Sequence, residues 1–179
     1  MAIIKLETVI DAPRERVFDL SRSIEAHQDS TEGTSERAVA GVTKGLLGVG
    51  EEVTWEARHL GVTQRLSVKM AEFDRPRHFR DVMLKGAFKN MQHDHFFEER
   101  AGKTVMSDRF EFSSPFGLVG ALVDRLFLTH YMRWFLVQRN AILKQAAESE
   151  RWRKYLKEPA KMPELASDDA PFLSRPSRE

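Results

Sequence analysis

The sequence predicts an α+β fold: a curved antiparallel β-sheet followed by one long C-terminal helix. Three observations predict it. Segments between residues 52 and 113 alternate apolar and polar side chains with period two, the mark of strands with one buried face. Short breaks holding Gly61, Pro76 or Gly102 separate them, as antiparallel neighbours require. From Leu118 to Ala147 helix formers dominate, and Gly120 is the only glycine or proline.

The elements follow in order. "IIKLETVIDAP" is rich in β-branched residues and stops at Pro13, which reads as a first strand. Pro13 suits the first turn of a helix, in which Val17, Leu20 and Ile24 fall at helical spacing. "EAHQDSTEGTS" is polar and leaves a short second helix or a loop open. "ERAVAG" is a short strand, and "VTKGLLGVG" is a glycine-rich loop suited to a mobile lid. In "EEVTWEARHLG", Val53, Trp55, Ala57 and His59 share one face. In "VTQRLSVKMAEF", Gln64, Leu66, Val68 and Met70 do so. "FRDVMLKGAFKN" has an uncertain phase, so Asp81 could face inward or outward. "MQHDHFFEER" sets His93, His95 and Phe97 on one face, and "TVMSDRFEFS" does the same for Met106, Asp108, Phe110 and Phe112. A short helix over Phe116 to Asp124 could precede the long one. From Lys157 the chain holds four of its seven prolines and no periodicity.

Bulk properties narrow the function classes. A length of 179 residues suits one domain, expected over residues 1–150, with 151–179 a disordered or loosely packed extension. A net charge of +1 gives no global pull toward nucleic acid. The absence of cysteine excludes disulfides, thiolate metal sites and cysteine nucleophiles. No run reaches the ~18 apolar residues of a membrane span, and the N-terminus shows no signal-peptide pattern. A cytoplasmic protein is the expectation.

Several stretches in sequence order resemble the SRPBCC superfamily, which includes START domains, birch-pollen-allergen-like proteins and a bacterial polyketide cyclase/dehydrase-like branch. They are "IDAPRERVFDL" (10–20), "VTWEARHLG" (53–61), "HDHFFEE" (93–99), "MSDRFEFSSPFGLVG" (106–120) and "QRNAILK" (138–144). The resemblance runs over roughly residues 3–150. It implies a helix-grip fold, in which the sheet wraps around the C-terminal helix and leaves a hydrophobic cavity between them. It brings no catalytic set that matches this chain residue by residue. The implied partner is a small hydrophobic molecule; no cofactor and no metal are called for.

Candidate site residues come from the inner faces. His93 and His95 lie about 6.6 Å apart on one side of a strand. With Asp108 on a neighbouring strand they are candidates for three roles: polar lining of a cavity, acid–base work, or a metal site, whose third ligand could be Asp108 or His59 and which usually needs a fourth or a water. Ligand contacts are expected from Trp55, His59, His93, His95 and Phe97, and from Asp108, Phe110, Tyr131 and Phe135. Arg133 and Arg139 could meet an anionic ligand group or stay exposed. The helix is apolar around more of its circumference than one sheet can cover, which leaves room for a cavity wall, a homodimer interface or a partner-binding surface. Three functions follow as expectations: a carrier of a lipid, polyketide, isoprenoid or aromatic; a cyclase/dehydratase using a His–Asp group; or a protein-interaction module.

Overall fold

Pro13 ends the first strand and starts the first helix, because it has no N–H for the sheet and its fixed φ suits a helix entry. Strand β1 (Ala2–Ile10) therefore gives way to α1 (Arg14–Ser21), where the Val17 N–H bonds the Pro13 carbonyl. Ser23 caps the next helix, α2 (Ile24–Ser30), by accepting from the Ala26 N–H at 3.3 Å. The polar stretch is thus helical, with a 3-10 turn at Glu32–Thr34 after it. This computed structural model describes residues 1–59, 61–115 and 127–156. The short helix expected over 116–124, the helical turns expected from Leu118 to Leu126 and the tail from Lys157 lie outside the described residues.

Six further strands complete the sheet: β2 (Arg37–Gly41), β3 (Glu52–His59), β4 (Val62–Asp74), β5 (His78–Lys85), β6 (Asn90–Arg100) and β7 (Lys103–Ser113). All neighbours are antiparallel, in the order β1-β7-β6-β5-β4-β3-β2. The first two strands in the chain are therefore the two edges, and α1 and α2 carry the chain between them. The β6–β7 turn has two residues, Ala101 and Gly102, at φ 50° and 75°. Positive φ at both positions is the turn whose twist matches the strands. At Gly41 (φ 72°) a side-chain carbon would sit 2.1 Å from the Glu52 carbonyl oxygen, so only glycine lets β2 approach β3 there.

The core lies on one face of the sheet. Phe18 of α1 meets Phe73, Phe79 and Phe97 edge-on, with ring centroids 5.2 to 5.5 Å apart, the favoured geometry for aromatic pairs. The C-terminal helix α3 (Thr129–Glu148) packs through one stripe: Leu136, Arg139, Asn140, Leu143, Ala146 and Ala147 are buried, at i, i+3, i+4 spacing. Lys144 donates to the Val9 carbonyl at 2.6 Å and Arg133 to that of Lys5 at 3.2 Å, which ties α3 to β1. Beyond α3, a 3-10 turn at Glu150–Lys154 leads to buried Tyr155, whose hydroxyl donates to Asp29 at 2.7 Å. The result is a seven-stranded antiparallel sheet with a long C-terminal helix packed against it, the α+β helix-grip fold. Among the described residues no helix is long and apolar enough to cross a membrane.

Candidate ligand site

A cavity of about 240 Å³ lies between α3 and the inner face of the sheet. The strand alternation supplies one wall, with Val53, Trp55, Ala57 and His59 from β3 and Gln64, Leu66, Val68 and Met70 from β4. Helix α3 closes the other side with Tyr131, Met132, Phe135, Leu136 and Arg139. Arg65 also borders the cavity with its side chain 69% exposed, so the space reaches solvent beside the β3–β4 hairpin. The loop expected as a mobile lid is hydrogen-bonded at Gly45 and Leu47. Its Leu47 lines the cavity, the Leu47 N–H bonds the Arg22 carbonyl, and the Gly45 N–H bonds the Glu25 carboxylate at 3.0 Å.

Polar groups gather in two places on this wall. In the first, His93 Nε2 donates to Asp108 Oδ1 at 2.9 Å, and Asn140 donates from α3 to the other carboxylate oxygen at 2.6 Å. His95 Nδ1 is also 2.9 Å from Asp108 Oδ1 but lies out of line for a hydrogen bond, so that contact is electrostatic. Burial alone would raise the Asp108 carboxyl. The donors around it outweigh burial and hold it well below the usual carboxylate range. The imidazoles shift the same way for the opposite reason: burial disfavours their charged forms, pushing His93 down and His95 down to about 3. His95 lies between the rings of His93 and Phe79, at 3.8 and 4.4 Å. Its other nitrogen, Nε2, faces Asp81 Oδ2 at 3.9 Å.

Asp81 completes this group and borders the cavity. Its Oδ1 is buried without a hydrogen-bond partner among the described residues. Burial pushes the carboxyl up to about 7, and the Arg139 guanidinium offsets only part of that. Arg139 is itself buried on α3 and also lines the cavity.

The second polar group involves the hairpin end of β3. His59 Nδ1 and the Tyr131 hydroxyl are hydrogen-bonded at 2.8 Å, and His27 of α2 stacks on Trp55 at 4.1 Å. His27 Nε2 lies 3.2 Å from Glu36. Burial pushes Glu36 up, but His27 and His59 together hold it below its ordinary value. Burial lowers His59 and raises Tyr131.

Seven of the nine expected ligand contacts border the cavity: Trp55, His59, His93 and His95, with Phe110, Tyr131 and Phe135. Phe97 and Asp108 do not. Phe97 is packed under Phe18 and Phe79, and Asp108 is sealed behind the two histidines and Asn140. Trp134 points away, 56% exposed, with its ring 6.1 Å from that of Tyr131. Sequence reasoning passes over His27 and Glu36, which sit in a polar stretch with no periodicity. It leaves Asp81 undecided because Phe79–Met83 carries apolar residues on both faces.

One donor atom from each of His93, His95 and Asp108 lies within 4.8 Å of the others, close enough to hold one cation. The finer spacing fits direct contact of both rings with the carboxylate better. Ligands about 2.0 Å from a tetrahedral zinc lie about 3.3 Å apart, whereas Asp108 Oδ1 is already 2.9 Å from a nitrogen of each ring.

A sheet holding a polar-tipped apolar cavity against its last helix defines a class, and the sequence agrees with it. The chain belongs to the family of polyketide cyclase / dehydrase and lipid transport proteins, whose profile matches residues 1–148. Solved structures share the fold. The protein TTHA0849 from Thermus thermophilus is 19% identical, with a TM-score of 0.67 over 82% of this chain and 97% of its own. The major latex-like protein 151 of Panax ginseng is 12% identical, with a TM-score of 0.63 over 83% of this chain and 98% of its own. Protein CV1439 from Chromobacterium violaceum is 16% identical, with a TM-score of 0.64 over 83% and 99%. No curated protein matches the chain by sequence.

Proposed function

We propose that the protein binds a small hydrophobic molecule, such as a lipid, polyketide, isoprenoid or aromatic, in the cavity between α3 and the sheet. One observation carries this: a wall that is mostly apolar and interrupted by a few polar side chains in two groups. That is the usual composition of a small-molecule site, where apolar area supplies affinity and a few polar groups fix orientation. Membership of a family described by cyclisation, dehydration and lipid transport supports it. The test is native mass spectrometry of the purified protein before and after solvent extraction, paired with fluorescence titration by 1-decanol. Extractable mass, or a decanol response lost in Trp55→Phe, is expected. A protein with no extractable mass and no decanol response would overturn the reading.

A second reading is an enzyme of the cyclase/dehydratase kind. It is favoured by His95, which has Asp108 at one ring nitrogen and cavity-bordering Asp81 at the other. A carboxyl poised near neutral pH can exchange a proton with a substrate carbon or hydroxyl. The discriminating assay is turnover of a β-hydroxyacyl or β-ketoacyl thioester. In the enzyme, Asp81→Asn and His95→Gln abolish turnover and leave binding within a few fold. In the carrier there is no turnover to lose.

A further inference from the structure

Resting on the carrier reading, we propose that the cavity's ligand has a carboxylate head on an apolar body, and that Arg139 and Asp81 seat that head. The starting point is a buried cation without a counter-ion. Arg139 is 4% exposed, and among the described residues no carboxylate oxygen lies within 4.0 Å of its guanidinium. Two of its nitrogens reach only neutral oxygens, those of Asn140 and the Ser21 backbone, each at a long 3.5 Å. Its Nε has no partner there. A guanidinium carries five donors in a planar fork, and a buried charge normally finds a partner.

The other arginines of this wall are already satisfied. Arg22 pairs with Asp19 at 2.7 Å, and Arg65 pairs with Glu56 at 2.9 Å. Arg139 is therefore the arginine among the described wall residues with a charge to offer. Asp81 borders the same space with an oxygen that is buried and unpartnered. In its protonated form it donates to one carboxylate oxygen while the guanidinium donates to the other. An alcohol or ester head would leave the cation uncompensated. A phosphate head, about half of it doubly charged at pH 6, would bring more negative charge than one arginine balances. The remaining wall is mostly apolar, which sets the body of the ligand.

The experiment is calorimetric titration of the full chain at pH 6 with decanoate, 1-decanol and decyl phosphate. Decanoate is expected to bind at least about tenfold tighter than decanol, the usual worth of one charge-assisted hydrogen bond. Arg139→Met should bring decanoate down to decanol's affinity and leave decanol unchanged. Equal binding of acid and alcohol by the wild type, or an acid preference that survives Arg139→Met, would overturn the proposal and leave the carrier reading standing. Tighter binding of decyl phosphate than of decanoate would also overturn it. If no probe binds, the proposal falls, and the carrier reading falls with it only when solvent extraction also releases no mass. Should Arg139→Met fail to fold, the wild-type comparison decides alone.

Discussion

Replacing Asp81 by asparagine should stabilise the protein above neutral pH, although it removes a buried polar group's charge. Asp81 is surrounded by His93 and His95 from β6, Arg139 from α3 and uncharged Met70 from β4. Burial lifts its carboxyl from 3.8 to about 7 in the folded state. Between those values the folded protein holds a proton that the unfolded chain has released, so stability falls as pH rises across that window. Each pH unit is worth about 1.4 kcal/mol. The whole window is thus worth about 4 kcal/mol, or about 2 if the side chain, 21% exposed, relaxes toward water as it ionises. Asparagine is neutral and nearly the same shape, so it keeps the packing and removes the penalty. Urea denaturation at pH 4 should give wild type and Asp81→Asn free energies within about 0.5 kcal/mol of each other. At pH 8 the variant should be about 2 to 4 kcal/mol more stable. A variant less stable than wild type at pH 8 would refute the reasoning. It would mean that Asp81 is ionised in the folded protein and held by Arg139 as an ion pair.

Other perturbations probe the rest of the molecule. Asp108→Asn should cost about 2 to 3 kcal/mol at pH 7 by thermal or urea unfolding, because it strips His93 and Asn140 of a charged acceptor. The Asp108 carboxyl lies below its ordinary value, so its contribution is present above pH 4 and lost in stronger acid, where the two proteins should converge. Phe18→Ala opens a hole beneath three aromatic rings and should cost about 3 to 5 kcal/mol in urea. A hydrogen bond from His93 and an electrostatic contact from His95 account for the spacing around Asp108, so chelation should leave the native mass and melting temperature unchanged; a chelator-sensitive mass of one metal ion would reverse that assignment.

Much of this fold is legible because a half-buried strand writes its two faces in alternation. Val53, Trp55, Ala57 and His59 separate cleanly from Glu52, Thr54, Glu56 and Arg58, whereas on β6 and β7 the outer-face Asp94, Val105 and Glu111 are buried as well. Strand β5 does not separate. Phe79, Asp81 and Met83 alternate with Arg80, Val82 and Leu84, so both faces carry apolar residues. Its partner β4 also shifts register between Met70 and Glu72. Alternation names a face without saying what covers it. Phe97 and Asp108 lie on the inner face, yet α1 and Asn140 cover them before the cavity begins. Asp94 lies on the opposite face and is still fully buried, because His78 and Arg80 close over it at 2.8 and 2.7 Å. His27 and Glu36 reach the cavity through the path of the chain between two edge strands, which no local pattern encodes.

The cavity also sets stability against binding. Arg139 sits in a stripe of α3 whose other buried members include Leu136, Leu143, Ala146 and Ala147. A leucine or methionine there would continue the stripe and spare the chain an uncompensated buried charge, and such replacements are often neutral or stabilising. Asp81 occupies an inner-face position of β5 beside Phe79, where an apolar residue would likewise pack without a titration penalty. For a chain that only had to close its core, both residues are poor choices. For a chain that must hold an acid by its head, they are the two groups that distinguish a carboxylate from an alcohol. The two kinds of variant should therefore part company. Arg139→Met and Asp81→Asn should match or exceed wild-type stability at pH 8, and Arg139→Met should lose the preference for decanoate. A gain in stability with no change in ligand preference would show that these charges serve neither the core nor the cavity.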